Sequence, residues 1–104
     1  MAQFDVYENN NLQTKKKVPY LLNVQADLLA PLTTRVVVPL VSMSAIGKPV
    51  ARLNPQFTIK GITVVMSTAQ LAGVDKKILG EKVGSLKERR DEIIAALDFL
   101  FVGF

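Results

Sequence analysis

SLKERRDEIIAALDFLFVGF, residues 85–104, holds the clearest helical period in the chain. Ser85 is placed to cap a helix by accepting from the Glu88 backbone N–H, while the Glu88 carboxylate returns a bond to the Ser85 N–H. A helix is therefore predicted from Leu86 onward. Wound at about 100° per residue, Leu86, Ile93, Leu97, Leu100 and Phe104 fall on one line, flanked by Ile94, Ala96 and Phe101. Lys87, Glu88, Asp91, Glu92 and Asp98 take the opposite side. Phe99 and Val102 fall among those polar positions, so the last turn is apolar all round and asks for cover on every side. The chain's own loops, a second copy and a different protein all remain open as that cover. Each large apolar side chain left in water forgoes about 1.5–3 kcal/mol of burial free energy. Gly103 suits the left-handed position that ends a helix, and no Lys or Arg stands in the last turn to meet the helix dipole.

Everything before this helix reads as strand and loop. QFDVY alternates, with Phe4 and Val6 on one face and Gln3, Asp5 and Tyr7 on the other, which predicts a half-buried strand over Gln3 to Tyr7. ENNNLQTKKK is a polar loop ending in Lys15, Lys16 and Lys17. YLLNVQ (20–25) and RVVVPLVS (35–42) are rich in strand-favouring residues, and Pro39 predicts an edge or a bulge in the second. Between them, Leu28 and Leu29 stand side by side in a segment bounded by Asp27 and Pro31, so at least one of them is hard to bury. SAIGKPVARLNP reads as an irregular connection, and QFTI-KG-ITVVMS as a hairpin turning on Lys60-Gly61. Further strands are plausible around residues 70–74 and near Ile78. Strands first and one terminal helix define a mainly β domain, an antiparallel sheet or small barrel with a C-terminal helix laid against it.

The 104 residues suit one domain over 1–104, with about half of them apolar and a net charge of +4. No apolar run approaches the roughly 20 residues of a membrane span, and the first residues lack the features of a secretory leader. A cytoplasmic protein with no membrane association is the expectation. The chain has neither His nor Cys. The usual zinc sites, thiol nucleophiles and imidazole bases are thus missing, as are a phosphate loop, a nucleophile elbow and a carboxylate pair. Neither metal nor cofactor nor catalytic residue is expected, and the chain is read as not an enzyme.

The stretches QFDVY, YLLNVQADLL leading into TRVVVPL, GEKVGSLKERRDEI and the apolar ending together resemble the CcdB toxins of bacterial toxin–antitoxin modules. V-Q-x-D followed about ten residues later by R-x-V-x-P-L is the specific part of that likeness. The resemblance implies an SH3-like antiparallel barrel that forms a homodimer. It also implies a plasmid-maintenance toxin that inhibits DNA gyrase as a topoisomerase poison, gripping the gyrase A subunit and trapping the cleaved-DNA complex without reading nucleic acid directly. Carried over by matching position, the gyrase-binding residues are Leu28, Leu29, Asp98, Val102, Gly103 and Phe104. A cognate CcdA-like antitoxin, whose disordered acidic tail folds on the toxin, is the other implied partner.

Two departures stand out. The best-known toxins of that family end Trp-Gly-Ile, whereas this chain has Val102-Gly103-Phe104 and no tryptophan. Valine cannot make the cation–π contact of the tryptophan with a gyrase arginine, a contact of about 0.5–2 kcal/mol. Two rivals follow: a non-toxic relative that dimerises and binds antitoxin, and an endoribonuclease on the same barrel using Arg35 with Thr33 or Thr34.

Overall fold

A computed structural model describes residues 2–103. Seven strands form one antiparallel sheet: β1 (Asp5–Asn9), β2 (Tyr20–Asn23), β3 (Thr34–Ser42), β4 (Gln56–Ile59), β5 (Ile62–Met66), β6 (Ala72–Asp75) and β7 (Leu79–Ser85). A one-turn helix, α1 (Met43–Ile46), follows β3, and the long helix α2 covers Arg90–Val102. The strand order is β4-β5-β3-β2-β1-β7, with β6 also paired to β3. The mainly β barrel-like sheet with one long C-terminal helix matches the predicted class.

β3 organises the sheet because its nine residues serve three partners. One edge pairs β2 from Tyr20↔Leu40 to Asn23↔Val37. The other edge pairs β6 through Thr34–Val37 and then β5 through Leu40–Ser42. Pro39 sits where the partner changes from β6 to β5, and its carbonyl accepts from the Ser67 N–H. Its missing N–H faces that same gap, so proline breaks no ladder bond to β2.

Alternation along the strands fills two layers. Val6, Leu22, Val38, Leu40, Val64 and Met66 point to the main core, where Phe57 and the α2 residues Ile93 and Ala96 meet them. Tyr7, Leu21, Val37 and Leu79 point to the reverse face and form a second, smaller cluster with Val18 and Val74. β1 is therefore buried on both faces rather than one, and it lies two residues later than predicted. Asp5 tolerates this burial because it accepts from the Ala2 N–H at 2.9 Å and pairs with Lys82 at 3.4 Å.

The β4–β5 hairpin turns on Lys60 and Gly61 as predicted, with φ of 50° and 78°. The helix start differs from the prediction. Ser85 Oγ accepts from the Lys87 N–H at 3.2 Å, not from Glu88, and the Leu86 N–H is taken by the Phe4 carbonyl at 2.8 Å. The first turn, Lys87–Arg89, is consequently a 3₁₀ turn, and α2 begins at Arg90. β7 was not legible as a seven-residue strand, being interrupted by Gly80 and Gly84. It pairs β1 with two register shifts, and a Cβ on Gly80 would lie 2.7 Å from the Glu8 carbonyl oxygen.

Candidate functional site

The turn between β2 and β3 raises apolar side chains on a polar mount. Asp27–Leu29 is a single 3₁₀ turn, and Asp27 Oδ1 accepts from the Gln3 N–H at 2.6 Å. Beneath it, buried Gln25 accepts from the Val36 N–H at 3.0 Å and donates to the Leu29 carbonyl at 3.2 Å. Arg35 is only 5% exposed and spends its guanidinium on the carbonyls of Leu32 (2.5 Å), Thr34 (2.7 Å) and Ala30 (3.0 Å). The backbone is held from below while Leu28, 92% exposed, and Leu29 face outward.

This explains in physical terms the motif noticed in the sequence. In V-Q-x-D and R-x-V-x-P-L, Gln25, Asp27 and Arg35 build the mount, and Pro39 marks the change of strand partner. Gln25 was not expected as a site residue, and Arg35 was expected only in the endoribonuclease reading; their place in the motif was the signal. Three of the Arg35 guanidinium donors are engaged by backbone carbonyls, which gives the side chain a structural role beneath the loop.

A second apolar outcrop is the last turn of α2. Phe101 is 70% and Val102 58% exposed, and Asp98 is exposed beside them. Gly103 adopts the left-handed conformation (φ 77°) and donates its N–H to the Phe99 carbonyl at 3.0 Å, ending the helix as predicted. Phe104 lies outside the described residues. Two expectations are exchanged: Phe101, predicted to flank the packing face, is exposed, and Phe99, predicted among polar positions, is half-buried. The cause is Arg52, whose guanidinium lies 5.0 Å above the Phe99 ring and covers it. The Asp27–Leu29 turn makes no extensive contact with α2, which packs into the main core through Ile93 and Ala96 and runs beside the Thr68–Gln70 turn. Within one copy the structure does not join Leu28 and Leu29 to Asp98, Val102 and Gly103 into one packed site.

Among the described residues no group of His, Cys, Asp or Glu side chains could hold a metal ion, and no helix is long and apolar enough to cross a membrane. Asp5 and Tyr7 are buried titratable neighbours, the Tyr7 hydroxyl donating to Asp5 at 3.4 Å, and the exposed Lys82 pairs with Asp5 from outside. Burial first, and then the charge of Asp5, push the Tyr7 phenol above its ordinary value, while Arg35 pulls it down.

An antiparallel half-barrel with one long C-terminal helix, carrying one apolar outcrop on the β2–β3 turn and another on the last turn of α2, is the arrangement of a small mainly β protein. The chain belongs to the CcdB family, whose model, described as CcdB protein, matches residues 3–103, and it is thereby a toxin of the toxin–antitoxin kind. The fold is also similar to two solved structures. One is an endoribonuclease in complex with its cognate antitoxin from mycobacterial species, with a TM-score of 0.76 and 16% identity, covering 96% of this chain and 93% of that one. The other is an endoribonuclease from mycobacterial species, with a TM-score of 0.71 and 15% identity, covering 96% and 89%. These neighbours overturn the expectation of a protein that is not an enzyme: chains sharing this fold over nearly their whole length are named endoribonucleases. A lack of His and Cys was therefore no ground for excluding catalysis on this barrel.

Proposed function

We propose that this toxin acts on DNA gyrase, binding the A subunit through Leu28, Leu29, Asp98, Val102, Gly103 and Phe104 and trapping the cleaved-DNA complex. The observation that carries the reading is the exposure of Leu28 (92%) on a backbone fixed by buried Gln25 and Arg35. A backbone already fixed spares the cost of ordering the loop on docking, which is the economy expected of a binding anchor. Phe101 is a large apolar group beside Val102, and it supplies aromatic area in a chain without tryptophan. The binding unit is a homodimer, in which two copies bring together outcrops that one copy keeps on separate elements. A cognate antitoxin with an acidic, disordered tail is the second partner, supported by the family and by the neighbour bound to its own antitoxin.

The test is a plasmid cleavage assay with purified protein, gyrase from the same host, supercoiled DNA and ATP, followed by denaturant and protease. Linear DNA is expected from the wild type and not from Leu28→Asp or Val102→Asp. Its absence with the wild type would end the gyrase reading.

A second reading, RNA cleavage, is favoured by the shared fold with two named endoribonucleases. It is checked by incubating the same preparation with single-stranded RNA and no gyrase. Cleavage that survives Leu28→Asp would move the activity from gyrase capture to ribonuclease chemistry.

A further inference from the structure

Arg52 adopts the left-handed conformation (φ 72°), which a residue with a Cβ takes only at a cost. The loop around it is pinned from beneath. Asn54 Oδ1 accepts from the Val50 N–H at 2.8 Å, and Asn54 Nδ2 donates to the Met66 carbonyl at 2.9 Å. The hydroxyl of Thr68, a fully buried residue, donates to the Leu53 carbonyl. Backbone strain of this kind persists only where the surroundings over-determine it, and it concentrates at functional positions.

The pinned loop aims this side chain at α2, where the guanidinium stacks 5.0 Å above the Phe99 ring. Stacking occupies the face of the guanidinium and leaves its N–H edge to solvent. Among the described residues Arg52 forms no ion pair. Arg89 is the contrast: it also lies over a ring, 4.8 Å from Phe57, but its fork is spent on Glu92, with Nη2 donating to Oε2 at 2.8 Å. Between Arg52 and α2 is a hollow of about 270 Å³ walled by Arg52, Pro55, Glu92 and Ala95. Glu92, Ala95, Phe99 and Val102 recur at helical spacing, so the hollow and the exposed Val102 share one face of α2.

We propose that Arg52, stacked on Phe99, is a specificity-determining residue that receives an Asp or Glu side chain of the gyrase A subunit, a proposal that rests on the gyrase reading above. The carboxylate takes the N–H fork of Arg52, and its methylene stem lies against Pro55 and Ala95. A guanidinium already held against a ring on a pinned loop spares the cost of ordering it on docking. The shared face makes the occupant the same target that covers Val102. A nucleic-acid strand fits the charge less well. It carries a phosphate at every step and calls for a track of cations, whereas Glu92 lines this hollow and Asp98 is exposed on the same helix.

The experiment is isothermal titration of the full-length toxin with the gyrase A subunit of the same host, with and without DNA and over a salt series, alongside melting temperatures and light scattering. The variants are Arg52→Gly, Arg52→Lys and Arg52→Glu, with Val102→Asp for comparison. Glycine takes a φ of 72° without strain, so in Arg52→Gly the relieved backbone offsets the uncovered Phe99 and the melting temperature stays close to that of the wild type. Arg52→Gly is expected to weaken binding by about tenfold and to flatten its salt dependence. Arg52→Glu weakens it further, and Arg52→Lys, which keeps the charge without the fork, recovers part of the affinity. Undiminished affinity in Arg52→Gly and Arg52→Glu, with Val102→Asp still deficient, overturns the proposal and leaves the gyrase reading intact. A loss seen only when DNA is present puts a phosphate in place of the carboxylate, and a loss that accompanies a halved mass assigns Arg52 to a contact between copies; either result overturns the proposal. A wild type that does not bind the gyrase A subunit removes the reading and the proposal together.

Discussion

Arg35 shows how a charged side chain works as a structural strut. Its guanidinium meets the carbonyls of Ala30, Leu32 and Thr34, so removing it strands three acceptors beneath an exposed loop. Arg35→Ala is expected to lower unfolding free energy by about 2–4 kcal/mol, measured from urea midpoints. Arg35→Lys should rescue little of this, because an ammonium cannot reproduce the planar fork. An unchanged midpoint in Arg35→Ala would free the side chain for the catalytic role it has in the ribonuclease reading. Tyr7 carries a pH prediction. Its phenol is raised by burial and by Asp5, so the unfolded chain ionises before the folded one. The associated stability is fully present below about pH 10 and is lost as pH rises through the higher folded value. Tyr7→Phe should therefore flatten the decline of melting temperature with pH above about 10 relative to the wild type. A parallel decline in both proteins would show that the phenol is not the titrating group.

Among the elements, those legible in the sequence were the ones whose local preferences agree with their packing. The β4–β5 hairpin was readable because apolar alternation flanks a two-residue turn ending in glycine, and α2 because its period is long. β7 was obscure because Gly80 and Gly84 serve the close approach and register shifts against β1, a tertiary demand that strand propensity does not record. The helix start was misplaced because the Phe4 carbonyl, more than 80 residues away in sequence, takes the Leu86 N–H that a local capping box would leave free. Part of the candidate site was legible as apolar residues without a hydrophobic period, namely Leu28, Leu29 and Val102. Its mount was not, since the Val36 N–H to Gln25 and Gln3 N–H to Asp27 bonds join segments apart in sequence, and nothing in the sequence shows that Arg35 turns back onto the loop before it. The Phe99–Phe101 exchange has the same origin, because Arg52 reaches α2 from the loop before β4. Arg52→Ala should cost about 0.5–1 kcal/mol of stability by uncovering Phe99, whereas Phe101→Asp should leave the melting temperature nearly unchanged. A large thermal loss in Phe101→Asp would mean that the last turn of α2 is buried in the working protein.

For the whole molecule the question is what joins the two outcrops. Leu28 and Leu29 ride on the β2–β3 turn, Phe101 and Val102 on the end of α2, and the two elements have no extensive contact within one copy. A target that grips both must either span them or meet a two-fold assembly that sets one copy's turn near its partner's helix. The proposed homodimer permits the second arrangement, because an isologous interface repeats every contact and presents each outcrop twice. A standard interface buries about 800 Å² per partner, roughly one eighth of the 6301 Å² surface of this chain, so the proposed dimer leaves ample surface for the proposed gyrase contact and for an antitoxin. The resulting two-fold symmetry suits a target that is itself paired. An equal mixture of tagged and untagged toxin should therefore yield a mixed species on affinity capture, and light scattering should give twice the chain mass at micromolar concentration. Leu28→Asp should preserve that mass while abolishing gyrase capture, separating the binding outcrop from the dimer contact. A strictly monomeric mass in the wild type would sink the two-fold model, and the outcrops would then have to be bridged by a single elongated partner.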